Sequence, residues 1–166
     1  MDNRDAWLNG AMERYEASLL RMCFAWLRDL QLAEDAVQET FLKAYRKYDT
    51  FRSGSSEKTW LISIAANTCR DILRSSWFRH IDRSVALDSL PEPEVPFTET
   101  DDALTNAVMK LRPRLREVIL LCYYQELSAQ EAAAVLGTSR QTVYNRLSRA
   151  LAELRKRLEV DSYEAR

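Results

Sequence analysis

Residues 128–158 read Ser128-Ala-Gln-Glu-Ala-Ala-Ala-Val-Leu-Gly-Thr-Ser-Arg-Gln-Thr-Val-Tyr-Asn-Arg-Leu-Ser-Arg-Ala-Leu-Ala-Glu-Leu-Arg-Lys-Arg-Leu158. Ser128 with Glu131 forms a capping box: the hydroxyl accepts from an orphan amide while the carboxylate reaches back to the cap's own N–H. The short helix this starts carries Ala132, Val135 and Leu136 and stops at Gly137, a residue that tolerates a left-handed C-cap. Ser139 then caps a new helix after a very short turn. Two helices so joined read as a helix-turn-helix.

In the second helix Val143, Leu147, Leu151, Leu154 and Leu158 recur at helical spacing and are expected to face inward. The opposite face then holds Gln141, Asn145, Ser148, Arg149, Ala152 and Lys156, with Tyr144 on the boundary. Gln and Asn side chains pair bidentately with adenine, and Arg with guanine, in the major groove. Arg146 and Thr142 flank this stripe, where phosphate contacts are expected. From Ser139 to Leu158 there are six basic residues and one acidic, which suits a polyanion. A solvated polar face on an ordinary helical hairpin is the alternative for any one of these residues. Two caps, a glycine stop and a basic outward face together favour DNA.

Working outward, the chain of 166 residues places three of its four prolines in Pro91-Glu-Pro93-Glu-Val-Pro96, within an acidic, weakly apolar stretch. That composition predicts a flexible linker over residues 81–103, between domains at 1–80 and 104–160. Before it, Trp7, Tyr15, Leu19, Cys23, Trp26 and Leu27 define one helix and Ala33, Val37, Phe41, Ala44, Tyr45 and Tyr48 a second. After Ser53-Gly54, a third runs from about Glu57 to Ser75 with Trp60, Leu61, Ile64, Ala65, Thr68 and Ile72 inward. After the linker, Leu104, Val108 and Leu111 precede a restart at Pro113, suited to a first helical turn, with Leu115, Val118, Ile119 and Cys122 as its apolar stripe. The expected fold class is all-α, two small helical domains.

The third helix carries an outward stripe of Ser63, Asn67, Arg70 and Arg74, followed by Trp77, Phe78 and Arg79. Cations beside aromatic rings suit unpaired bases, which stack on aromatic faces while their phosphates are neutralised. Trp60 lies on the apolar stripe and is expected to pack inward. Trp77 and Phe78 lie beyond that stripe and suit either role.

Other classes of function find little support. No run of about 18 uncharged apolar residues crosses a membrane, and the polar start Met1-Asp-Asn-Arg-Asp lacks the order of a secretory signal. Cys23, Cys69 and Cys122 are far apart and set in apolar patterns, so they read as buried thiols in a reducing cytoplasm. His80 is the only histidine. With no metal cluster, nucleotide loop or nucleophile–base pair, neither an enzyme nor a cofactor is expected.

Two stretches carry a family resemblance. Ala33-Glu-Asp-Ala-Val-Gln-Glu-Thr-Phe-Leu42, Lys43-Ala-Tyr-Arg46, Phe51-Arg52 and Thr59-Trp-Leu-Ile-Ser-Ile-Ala-Ala-Asn-Thr-Cys-Arg-Asp71 resemble region 2 of the bacterial sigma-70 family. Leu127-Ser-Ala-Gln-Glu-Ala-Ala-Ala-Val-Leu-Gly-Thr-Ser-Arg-Gln-Thr-Val143 and Arg146-Leu-Ser-Arg-Ala150 resemble its region 4. Both regions, joined directly by a linker, are similar to the extracytoplasmic-function (ECF) group. The resemblance implies a subunit of core RNA polymerase that directs promoter-specific initiation, with promoter DNA and an anti-sigma factor as partners. Asp35, Gln38, Glu39 and Leu42 would dock on the polymerase. Asn67 would lie at a pocket for a flipped −10 base, bordered by Ser63, Arg70, Asp71, Arg74 and Trp77. Arg140, Gln141, Thr142, Tyr144, Asn145, Arg146 and Arg149 would meet the −35 element. Tyr144 stands where the family often has Lys or Arg and Asn145 where Ser is common, departures that bear on the −35 preference. The rival readings are a helix-turn-helix regulator acting without sigma activity and a helical adaptor that does not touch DNA.

The near-neutral total of 24 basic and 25 acidic residues hides a sharp division. Residues 81–105 carry one basic and seven acidic groups, whereas residues 106–166 carry eleven and seven. Repulsion between linker acids and DNA would keep the free factor from binding indiscriminately. Replacing Asp82, Asp88, Glu92 and Glu94 with Ser or Gln is therefore expected to raise salt-sensitive DNA binding by the free chain. A binding isotherm unchanged by those substitutions would sink the idea.

Overall fold

The computed structural model describes residues 2–51, 56–77 and 99–164, and every regular element among them is helical. In chain order the helices are α1 (Asn3–Leu27), α2 (Leu30–Arg46), α3 (Glu57–Trp77), α4 (Glu99–Met109), α5 (Pro113–Ile119), α6 (Ala129–Leu136) and α7 (Arg140–Glu164). A 3-10 turn at Tyr48–Thr50 ends the α2 region, and α5 continues into a π-helical turn at Leu120–Tyr124. The helices form two compact units, α1–α3 and α4–α7. The expected linker falls, over residues 81–98, outside the described residues. The second unit begins earlier than its apolar pattern, since α4 starts at Glu99, ahead of Leu104. An acidic turn supplies no hydrophobic periodicity to read.

The first unit follows the apolar spacing closely. Leu19, Cys23, Trp26 and Leu27 of α1, Ala33, Val37, Phe41 and Ala44 of α2, and Leu61, Ile64, Ala65 and Thr68 of α3 are buried together. Each fully buried aliphatic side chain contributes on the order of 1.5–3 kcal/mol. The two buried hydroxyls are satisfied within their helices, Thr40 donating to the Ala36 carbonyl at 2.7 Å and Thr68 to that of Ile64 at 2.8 Å. Arg28, with φ 60°, ends α1 in the left-handed region, and Asp29 immediately caps α2 by accepting from the Leu32 N–H at 2.9 Å. Cys23 and Cys69 are buried free thiols, as expected, while Cys122 is only half-buried. The hydrogen bond with Cys23, together with burial, pushes the Cys69 thiol far up, keeping it protonated.

Trp60 departs from the expected core position. It is half-buried in an aromatic cluster, 4.8 Å from the Phe51 ring and 6.0 Å from Trp7, which itself meets Tyr48 at 5.0 Å. Beside this cluster Glu57, at the start of α3, accepts from the Trp7 indole at 2.9 Å and from Arg14 at 2.8 Å. These two bonds tie the N-terminal half of α1 to the first turn of α3.

In the second unit the capping box is complete: the Ser128 hydroxyl accepts from the Glu131 N–H and the Glu131 carboxylate from the Ser128 N–H, both at 3.1 Å. Gly137 takes φ 66° at the C-cap of α6. Arg116 and Glu117, which no apolar pattern marks, are buried. The Arg116 guanidinium donates to the carbonyls of Met109 at 2.9 Å and Leu111 at 3.3 Å, satisfying acceptors freed where α4 ends. The inward face of α7 is also corrected. Val143, Ala150 and Leu154 are buried and Leu147 and Leu158 half-buried, whereas Leu151 is 39% exposed. A stripe drawn through Val143 and the leucines overlooks the small Ala150, which is fully buried.

The Glu57 clamp carries a pH signature. Burial opposes its charge, but the hydrogen bonds from Arg14 and Trp7 outweigh that, holding its carboxyl below the ordinary glutamate value. Such a group stabilises the fold above the unfolded-state pKa, about 4.3, and loses that contribution as pH falls through the lower folded value. Acid titration followed by tryptophan fluorescence should therefore show Glu57→Gln with a lower melting temperature than wild type at neutral pH. The difference should shrink below about pH 4, and a pH-independent difference would contradict this account.

Candidate nucleic-acid interface

The N-terminus of α7 is built by Ser139. Its hydroxyl oxygen accepts from the Thr142 N–H at 3.1 Å and shares a 2.8 Å hydrogen bond with the Thr142 hydroxyl. That pairing leaves Thr142 half-buried beside the cap. Beyond it Arg140, Gln141, Tyr144, Asn145 and Arg149 are exposed, while Arg146 is half-buried at the flank. Tyr144 is 51% exposed, so it belongs to the outward face rather than its boundary. The Gln141 amide donates to the Asn145 carbonyl oxygen at 3.1 Å, which steadies a side chain suited to pairing with adenine. Behind this face Val143, Ala150 and Leu154 seat α7 against α4, α5 and α6, so the reading surface stands on a packed support.

On α3, Asn67, Asp71 and Arg74 are exposed and Ser63 and Arg70 half-buried, all on the side away from the core. Arg74 lies 3.7 Å from Asp71, a solvent-exposed ion pair of little energetic weight that leaves the guanidinium available to phosphate. The side chain of Trp77, the last residue of α3, lies outside the described residues, as does all of Phe78. Lys43 of α2 lies off the apolar pattern. It crosses to α3 and donates to the Thr68 hydroxyl at 3.1 Å, tying the two helices together. Only the packing of α2 against α3 reveals this, because the two residues are distant in sequence.

A third surface lies on α2. Asp35, Gln38 and Leu42 are exposed and Glu39 half-buried, and the Asp35 carboxylate accepts from Gln31 at 3.1 Å. Leu42 is 50% exposed, an apolar side chain one turn from Gln38 and Glu39 on the same helix. A lone exposed leucine needs no explanation by itself, but beside acids on one stripe it suits a partner with basic rim and apolar centre. No set of three metal-ligating side chains gathers among the described residues. Nor is any of their helices long and apolar enough to cross a membrane.

Known proteins carry the same organisation. Residues 11–79 match the family description Sigma-70 region 2, and residues 101–154 match Sigma-70, region 4. The RNA polymerase sigma factor YlaC of Bacillus subtilis (strain 168) is 31% identical, covering 100% of this chain and 99% of its own length. The ECF RNA polymerase sigma factor SigW of the same strain is 30% identical over 87% of this chain and 84% of its own. Among solved structures, the sigma factor RpoE in complex with the anti-sigma factor NepR from Bartonella quintana has a TM-score of 0.72 at 26% identity. That match covers 92% of this chain and 97% of RpoE. CnrH in complex with the cytosolic domain of CnrY has a TM-score of 0.67 at 29% identity, over 93% and 88%. With both sigma regions in order along one chain, the protein belongs to the ECF sigma factors of the bacterial sigma-70 family, which direct RNA polymerase in transcription initiation.

Proposed function

We propose that this chain is a dissociable promoter-specificity subunit, with α7 reading duplex −35 DNA and α3 holding the opened −10 strand. The observation that carries this reading is the Ser139-capped α7, which presents Arg140, Gln141, Tyr144, Asn145 and Arg149 outward from a packed support. In the major groove Asn145, steadied by Gln141, pairs with adenine and Arg149 with guanine, while Thr142 and Arg146 approach phosphates. On α3, Asn67 is assigned to the pocket for an unstacked base, with Ser63, Arg70, Asp71 and Arg74 on the same outward side; Trp77 is assigned to the same site from the sequence alone. Opening the duplex costs on the order of 1.4 kcal/mol per step. Stacking of exposed bases at about 1–3 kcal/mol each offsets that cost.

The acidic-apolar stripe Asp35, Gln38, Glu39 and Leu42 docks on the largest subunit of core polymerase. The domains are assigned as region 2 over 1–80, a linker over 81–103 whose last residues, from Glu99, already belong to α4, and region 4 over 104–160. An anti-sigma factor restrains the protein, as supported by the similar RpoE and CnrH, which are seen with NepR and CnrY. The setting is a stress or envelope response. The chain works by binding rather than by catalysing a reaction, and acts in the cytoplasm.

Run-off transcription with purified core polymerase on the factor's own upstream DNA should yield a defined start that depends on this chain. Tight duplex binding without any such start would favour a plain helix-turn-helix regulator instead. Within the working system, Asn145→Ala and Arg149→Ala should each cost about 1–3 kcal/mol and relax base preference at one −35 position. A uniform loss across all duplex sequences would remove these residues from base reading.

A further inference from the structure

The segment Arg112-Pro113-Arg114 opens α5 with both arginines exposed, whereas Arg116, two residues on, turns inward. Arg112 and Arg114 line one wall of a groove of about 1110 Å³, and Arg146, Arg149 and Lys156 of α7 line the other. Glu153 is the acidic residue in that lining, and it is bonded to Arg157 at 3.2 Å. None of the five lining cations forms an ion pair among the described residues. Five like charges in one concavity repel one another, which favours an anionic occupant.

We propose that this groove holds a phosphodiester strand of the same duplex that α7 reads, with Arg112 and Arg114 as phosphate contacts outside the recognition helix. The inference rests on the assignment of α7 to duplex DNA. Two features select DNA as the occupant. Asn145 and Arg149 belong both to the groove wall and to the outward reading face, so the groove continues the base-reading surface. A DNA strand also carries one negative charge per about 3.4 Å of helix axis, so it meets five cations spread over two walls better than a single anion would. Contacts to phosphate position the protein and carry no base information. Arg112 and Arg114 therefore add affinity and register, leaving sequence preference to Gln141, Tyr144, Asn145 and Arg149. They lie ahead of the helix-turn-helix in sequence, and only the packing of α5 against α7 brings them to it.

The test uses the full chain and a labelled duplex of its own upstream −35 region, with fluorescence anisotropy measured from about 50 to 200 mM salt. The double variant Arg112→Gln/Arg114→Gln should bind more weakly, and the slope of log affinity against log salt should flatten by about 1–2. The loss should be the same factor on matched and mismatched duplexes. Lys110→Gln, exposed outside the groove, should leave the slope unchanged, and matching circular-dichroism melts establish that the double variant folds. Wild-type binding with an unchanged slope in the double variant would overturn the groove alone. A gain in affinity would also overturn it, since the arginines would then be holding an acidic protein segment rather than DNA. Absence of salt-dependent binding by the wild type would overturn the groove and the reading of α7 together.

Discussion

The buried guanidinium of Arg116 governs the architecture of the second unit. It bonds to the carbonyls of Met109 and Leu111, where α4 ends and no backbone N–H remains to meet them. Burying a charge is costly unless it is bonded, and leaving those carbonyls unpaired would cost about 1–3 kcal/mol each. One side chain thus meets both carbonyls and ties α5 to the end of α4. With α5 so placed, Arg112 and Arg114 face outward, Val118 and Ile119 face the core, and α7 finds its seat. The reading face of α7 and the basic groove beside it both depend on that geometry.

The same economy appears at the helix-turn-helix. Ser128 and Glu131 satisfy each other's orphan amides, Gly137 takes the left-handed turn, and Ser139 starts the next helix at once. A substitution at an N-cap such as Ser128 costs about 1 kcal/mol, a noticeable share of the stability of so small a unit. Local bonding therefore holds α6 and α7 close enough to act as one reading element. In the first unit a different arrangement serves the same purpose. Glu57 joins α1 to α3 through Trp7 and Arg14, while Lys43 joins α2 to α3 through Thr68. These polar links fix the orientation of α3, and with it the outward stripe around Asn67.

The balance of charge also takes on a physical meaning. A near-neutral total argues against nucleic acid only if charge is spread evenly, and here it is not. The basic residues of the second unit concentrate on α7 and the start of α5, while the acidic residues concentrate between the units in sequence. Counterion release depends on local cations and not on the sum.

Much was legible in the sequence because it rests on local rules. Helical periodicity placed Val37, Phe41, Leu61 and Ala65 in the core, and the capping box, Gly137 and Ser139 marked the helix-turn-helix to the residue. The outward stripes of α3 and α7 followed from the same spacing, and that of α2 from the family resemblance. Tertiary packing alone decided the rest. It turned Arg116 inward and its neighbours outward, drew Trp60 into an aromatic cluster, chose Ala150 over Leu151 for the α7 seat, and carried Lys43 to α3 and Arg112 to the groove. Periodicity records which face of a helix is apolar. Where a charged side chain finds its partner, and which small residue is buried, depends on which helix lies opposite.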